Sequence, residues 1–141
     1  MANNVIILIA RALLAFMFIM SGIGKFADPA STAGMIEQAG LPAATALNYL
    51  AAIFETLAGL AILTGFYTRI AAYALAAFCV FTALVFHNGA IAIPGFPDAA
   101  NGLLTVFNQL LMFKNFAIAG GFLVLAVYGP GTLSIDARRK A

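Results

Sequence analysis

The chain of 141 residues has no tryptophan, one cysteine, one histidine and little charge, with seven Lys or Arg, five Asp or Glu and a net charge of +2. A lone cysteine, Cys79, excludes an internal disulfide framework, a CxxC redox pair and a thiolate metal cluster. With His87 as the one histidine, no metal site is assigned, and so small a net charge gives no support to nucleic-acid binding. What remains is apolar. Hydrophobic residues make up 64% of the chain and charged ones 9%, against roughly 45–50% and 25% in soluble domains, and the mean hydropathy is +1.04. A water-soluble core of this size cannot hide that much apolar surface. Long apolar runs alternate with short polar segments, as spans alternate with loops, so the chain reads as an integral membrane protein whose immediate partner is lipid.

Four runs are long enough to cross a ~30 Å hydrocarbon layer at ~1.5 Å per residue. They predict spans over about 5–26, 42–64, 70–86 and 103–128. The fold class is therefore all-α, an antiparallel four-helix membrane bundle forming a single transmembrane domain over residues 1–141. A cleaved signal peptide is disfavoured, because Arg11 interrupts the first apolar run instead of preceding it. Segment 28–40 is polar and reads as a loop, after which Pro42 suits the first position of the second helix. Gly65 gives a stop signal between the second and third spans, making a helical hairpin. Segment 87–97 contains Pro94-Gly95-Phe96-Pro97 and cannot stay helical. The fourth helix begins after Asp98 and exceeds one bilayer crossing, so its first turns should project from the membrane or lie along it.

Four spans place both termini on one side. That side collects Arg69, Arg138, Arg139 and Lys140, with only Lys25 near the other, so the positive-inside rule puts both termini in the cytoplasm of a bacterial inner (plasma) membrane.

Ionisable residues inside a span cost ~2.5–3.5 kcal/mol each on insertion scales and usually face the bundle interior with a partner. Arg11, Glu55 and Lys114 are the three. Arg11 shares a helical face with Ala15, Phe18, Gly22 and Lys25; Glu55 shares one with Asn48, Ala51 and Gly59. Glu55 lies ~20 Å from the outer end of its helix and Arg11 ~9 Å from the inner end of its own, so an Arg11–Glu55 ion pair is expected at a common level, with Lys114 reaching towards the same carboxylate. Two cations around one anion leave a local positive excess, which favours an anionic ligand or one with carbonyl acceptors, such as a quinone. The competing reading is that the ion pair and the asparagines merely fasten helices together. Lys25 reads as a residue snorkelling to the interface, Cys79 as a small packing residue, and His87 as interfacial, with proton donation as its alternative.

Several pieces in order carry a family resemblance. They are Arg11 followed by Phe-Ile-Met-Ser-Gly-Ile-Gly-Lys-Phe (18–26), Glu55 with Gly59, Leu-Thr-Gly-Phe-Tyr-Thr-Arg (63–69), Phe86-His87, Phe-Lys-Asn (113–115), Gly120-Gly121, Gly129-Pro130-Gly131 and Leu-Ser-Ile-Asp (133–136). Over nearly the whole chain this resembles the DoxX family of small bacterial and archaeal membrane proteins. The resemblance implies a four-span inner-membrane protein related to a subunit associated with a thiosulfate:quinone oxidoreductase. The positions matching the family's recurring polar residues are Arg11, Lys25, Glu55, His87, Lys114 and Asn115.

The preferred function is accordingly the membrane subunit, or partner, of a quinone-linked oxidoreductase system. Glu55 and Lys114 are the candidate catalytic residues, and Arg11, Lys25, His87 and Asn115 the candidate ligand-binding ones. No covalently bound cofactor is expected, a quinone is the candidate ligand, and electrons would come from a partner subunit. Against this stand a non-catalytic scaffold or assembly factor and a small transporter; four spans make a narrow bundle, so a pore would require a homo-oligomer.

Overall fold

A computed structural model describes residues 2–139; Lys140, counted above among the basic residues near the termini, lies outside them. The described chain has six helices: α1 (Ala2–Ala27), α2 (Pro29–Gln38), α3 (Ala44–Thr64), α4 (Thr68–Phe86), α5 (Asp98–Tyr128) and α6 (Ile135–Arg138). Four of them, α1, α3, α4 and α5, are long and apolar enough to cross a membrane. The fold is an all-α antiparallel membrane bundle.

Segment 28–40, expected as a loop, is mostly the helix α2. Asp28 caps it by accepting a hydrogen bond from the Ser31 N–H at 3.3 Å, and Pro29 occupies its first turn. Its apolar side, Ala33 and Ile36, is buried with Ala44 against Leu41, Leu47 and Phe86. A ten-residue helix with one buried face is too short to span, so α2 lies across the end of the bundle opposite the termini. Contrary to the expectation from sequence, Pro42 does not begin the next helix; α3 starts at Ala44, after Ala43 has turned through a left-handed φ of +52°. The Gly65 stop is as the sequence implies. Its φ is +73°, and the N–H groups of Gly65 and Phe66 bond back to the carbonyls of Ile62 and Ala61. Helix α5 has 31 residues, ~46 Å of helix against ~30 Å of hydrocarbon, so one end exceeds a perpendicular crossing.

α1 packs along α3, and α5 along α4; the α3–α4 hairpin joins the two pairs. Small residues set the α1–α3 spacing. A Cβ on Gly22 would lie 2.7 Å from the Ala52 carbonyl oxygen, and one on Gly59 would lie 2.8 Å from Ile19 Cγ1, so both backbones come closer than alanine permits. The shared core includes Ile62, Leu75 and Phe122, all fully buried, with Phe18 edge-on to Phe122 at 5.4 Å between ring centroids. The start of α1 and the segment after α5 meet on one side, where the Thr132 N–H donates to Asn4 Oδ1.

Candidate functional site

Arg11 does not pair with Glu55. Its side chain, 1% exposed, spends four N–H donors on backbone carbonyls: Nε on Ile62 at 2.8 Å, Nη2 on Leu63 at 2.6 Å, and Nη1 on Pro130 at 3.0 Å and Leu133 at 2.8 Å. Two of these acceptors belong to the last turn of α3, where carbonyls lack the regular i+4 partner, Ile62 taking only the Gly65 N–H of the cap besides, and a cation is favoured.

The reason for the changed pairing is directional. Helical Cα–Cβ bonds tilt towards the helix N-terminus. In an antiparallel pair, Arg11 therefore points to the terminal-bearing end while Glu55 points to the other. Lys25, placed near that other end of α1, points inward and meets Glu55. Lys25 Nζ lies 2.8 Å from Glu55 Oε2 and donates also to Ser21 Oγ at 2.8 Å. The carboxylate is almost fully buried, with a side-chain exposure of 4% against 16% for Lys25. Thus Lys25, read from sequence as an interfacial anchor, is the ion-pair partner. Asn48 steadies it from α3 by donating to the Lys25 carbonyl at 3.2 Å.

This pair borders a cavity of about 760 Å³, within the ~300–1,000 Å³ of ordinary ligand pockets. Lys114 and Asn115 enter it from α5, and His87 from the end of α4. Asn115 Nδ2 donates to Thr82 Oγ1 at 3.2 Å, and His87 Nδ1 lies 2.8 Å from Asn108 Oδ1, a pairing in which the ring nitrogen donates. Lys114 has no hydrogen-bond or ion-pair partner among the described residues. The walls are largely apolar, and three of the wall residues, Leu50, Ala77 and Phe81, are exposed on the outer surfaces of α3 and α4. The cavity is therefore open sideways, towards lipid, between these helices, while α2 covers part of it through Thr32, Met35 and Ile36.

Of the six predicted site residues, five thus surround one cavity: Lys25, Glu55, His87, Lys114 and Asn115. Arg11 is the exception. Two cations and one carboxylate do share a site, but the first cation is Lys25. Sequence reasoning missed Ser21 and Thr82. Ser21 carries a signal, standing one helical turn before Lys25 and so on its side-chain path; Thr82 has none, since its partner is on another helix. Cys79 is 1% exposed and belongs to the core cluster, where it also touches the cavity wall. No group of three or more His, Cys, Asp or Glu able to hold a metal ion occurs among the described residues.

Comparison with known proteins places the chain among membrane proteins. The chain is 39% identical over 134 residues to Inner membrane protein YqjF of Escherichia coli (strain K12), covering 95% of this chain and 92% of that protein. It is 31% identical over 137 residues to Inner membrane protein YphA of the same organism, covering 97% and 92%. Uncharacterized membrane protein Rv3486 of Mycobacterium tuberculosis (strain ATCC 25618 / H37Rv) is 32% identical over 135 residues, covering 91% and 77%. No solved structure matches the chain. Residues 6–88, from the first span to just past His87, match DoxX, and with full-length relatives named as inner membrane proteins, this chain belongs to the DoxX family and is a multi-pass inner membrane protein.

Proposed function

We propose that the cavity receives the ring of a quinone-like lipid, and that the protein serves as the membrane subunit, or partner, of a quinone-linked oxidoreductase system. The observation behind this is the cavity's combination of a lipid-side opening and apolar walls with Lys25, Glu55 and Lys114 inside. An isoprenoid tail would lie between α3 and α4 in the bilayer while the ring carbonyls meet the charged groups. Lys114, with donors to spare, hydrogen-bonds one carbonyl oxygen; Glu55 holds the proton that a reduced oxygen takes up and Lys25 keeps the carboxylate oriented. Reduction to the quinol takes two electrons, from the partner enzyme, and two protons, one passed by Glu55 to one oxygen and one given by the Lys114 ammonium to the other, both groups regaining a proton from solvent. The chain lies with both termini in the cytoplasm, as Arg69, Arg138 and Arg139 at that end favour, and the α2 end then faces outward.

The direct Lys25–Glu55 ion pair favours a second reading, a scaffold whose polar residues only fasten helices. Extraction of protein purified from native membranes, followed by mass spectrometry, separates the two. Quinone retained near one per chain, and falling about tenfold or more, ~1.4 kcal/mol of affinity, in Lys114→Met, supports the site. Absence of quinone from the wild type, or equal retention in Lys114→Met, removes it and leaves the scaffold.

A further inference from the structure

A second cavity, of about 420 Å³, lies at the end of the bundle that carries both termini. Arg69, in the first turn of α4, and Arg139, just after α6, both line it, together with Tyr67, Ile70, Pro130 and Asp136. The two guanidinium groups differ in their attachments. Arg139 lies over the rings of Phe66 and Tyr67, 5.4 and 4.8 Å from their centroids, and donates to Tyr67 Oη at 3.3 Å. Arg69 passes close to Gly129, where a Cβ would stand 3.7 Å from its Nη2, and has no hydrogen-bond or ion-pair partner among the described residues. The one carboxylate of the cavity is already engaged, because Asp136 accepts the Tyr67 and Thr68 N–H groups at 2.8 Å each.

The position limits what such a pair of cations meets. The cavity sits where α3 turns into α4 and where α5 has just ended, at head-group level for a spanning bundle. Beside it the surface is apolar and aromatic: Ile70 is 67% exposed, Tyr73 52% and Tyr128 81%, a lane for acyl chains running from the cavity along α4. Guanidinium forks match phosphate oxygens in pairs, and aromatic residues favour the same interfacial layer.

We infer that this cavity binds the phosphate of an anionic membrane lipid between Arg69 and Arg139, with the acyl chains along Ile70 and Tyr73. The site is separate from the quinone cavity and independent of its role. It differs from a general attraction of basic residues to the membrane surface, because Arg138, equally charged and on the adjoining α6, does not line the cavity.

Native mass spectrometry of the full chain in detergent, with phosphatidylglycerol and phosphatidylcholine of matched acyl chains, tests the assignment. The expected result is about a tenfold preference for phosphatidylglycerol, reduced to within about twofold by Arg69→Gln and unchanged by Arg138→Gln. Because Arg69 holds no partner, that variant should keep the wild-type unfolding midpoint, and Arg139→Gln gives a second variant should it not. No preference between the lipids overturns the inference, as does an equal loss in Arg138→Gln, which would indicate charge alone. Displacement of the lipid by millimolar inorganic phosphate also overturns it, since the ligand would then be a free anion.

Discussion

Two polar regions on the same face of α1 use a basic residue in opposite ways. At the terminal-bearing end, Arg11 places four N–H donors on four carbonyls and is sealed from solvent. About four turns further along, Lys25 meets one carboxylate and one hydroxyl, borders a cavity, and faces a second cation, Lys114, that has no partner among the described residues. The first region has four of the five guanidinium N–H donors on carbonyls and is closed to solvent. The second retains spare donors, on Lys114 above all. A cation so engaged ties elements together, here α1, the end of α3 and the segment after α5, whereas a partly satisfied one keeps the ability to hold something else. The bundle is thus fastened at one end and open at the other.

The largest effect should follow from breaking the fastened end. Arg11→Met removes the donors and strands buried carbonyls, at a cost of about 3–5 kcal/mol, read as a large drop in the thermal unfolding midpoint in detergent. Arg11→Lys should recover less than half of that loss, because an ammonium cannot reproduce a planar fork serving acceptors on two segments. A midpoint within a degree or two of wild type for Arg11→Met would erase the contrast between the two regions.

How far the sequence foretells these regions depends on what each requires. The four spans are legible because apolar run length and Gly/Pro punctuation act locally, as at Gly65 and at segment 87–97. Helix α2 is harder to see, since its buried face consists of little more than Ala33 and Ile36 within a polar composition. That Lys25, Glu55, His87, Lys114 and Asn115 gather at one cavity is legible, because charge and amide groups at membrane depth must face inward. Their pairing is not, because depth along an axis does not say which way a side chain leans. Arg11 and Glu55 lie on facing helices but lean apart, while Lys25 and Glu55 lean together. The carbonyls of Pro130 and Leu133 are beyond any reading of side-chain pattern, being backbone groups brought to Arg11 only by the fold.

A smaller effect is expected at the open end. Glu55→Gln breaks the ion pair but keeps a polar side chain of the same shape, and Lys25 retains Ser21 and some exposure to the cavity. A loss of about 1–2 kcal/mol follows, well below that at Arg11. A double-mutant cycle of Glu55→Gln with Lys25→Met sharpens the comparison: a coupling near ~1 kcal/mol fits a half-open pair. Coupling as large as the whole Arg11→Met loss would instead make this region a fastener too.

The smallest effect belongs to the clasp that extends the fastened end to the protein's surface. Asp136 accepts the N–H groups of Tyr67 and Thr68, and its own N–H donates to the Gly65 carbonyl, so the segment after α5 closes over the α3–α4 turn. Burial pushes the Asp136 carboxyl up, but the hydrogen bonds from Thr68 and Tyr67, with the Arg139 guanidinium, outweigh this and hold it below the ordinary aspartate value. A carboxyl whose pKa is lower folded than unfolded stabilises the fold above its unfolded value of about 3.9 and loses that contribution as the pH falls through the folded one. The unfolding midpoint of wild type should therefore exceed that of Asp136→Asn by a constant, small margin between about pH 5 and 8, and the margin should shrink only below about pH 4. Solvent around this partly exposed carboxylate keeps the margin small. A margin that widened on acidification would carry the opposite sign, meaning that the proton stabilises the clasp, and would exclude the charged carboxylate as what holds it.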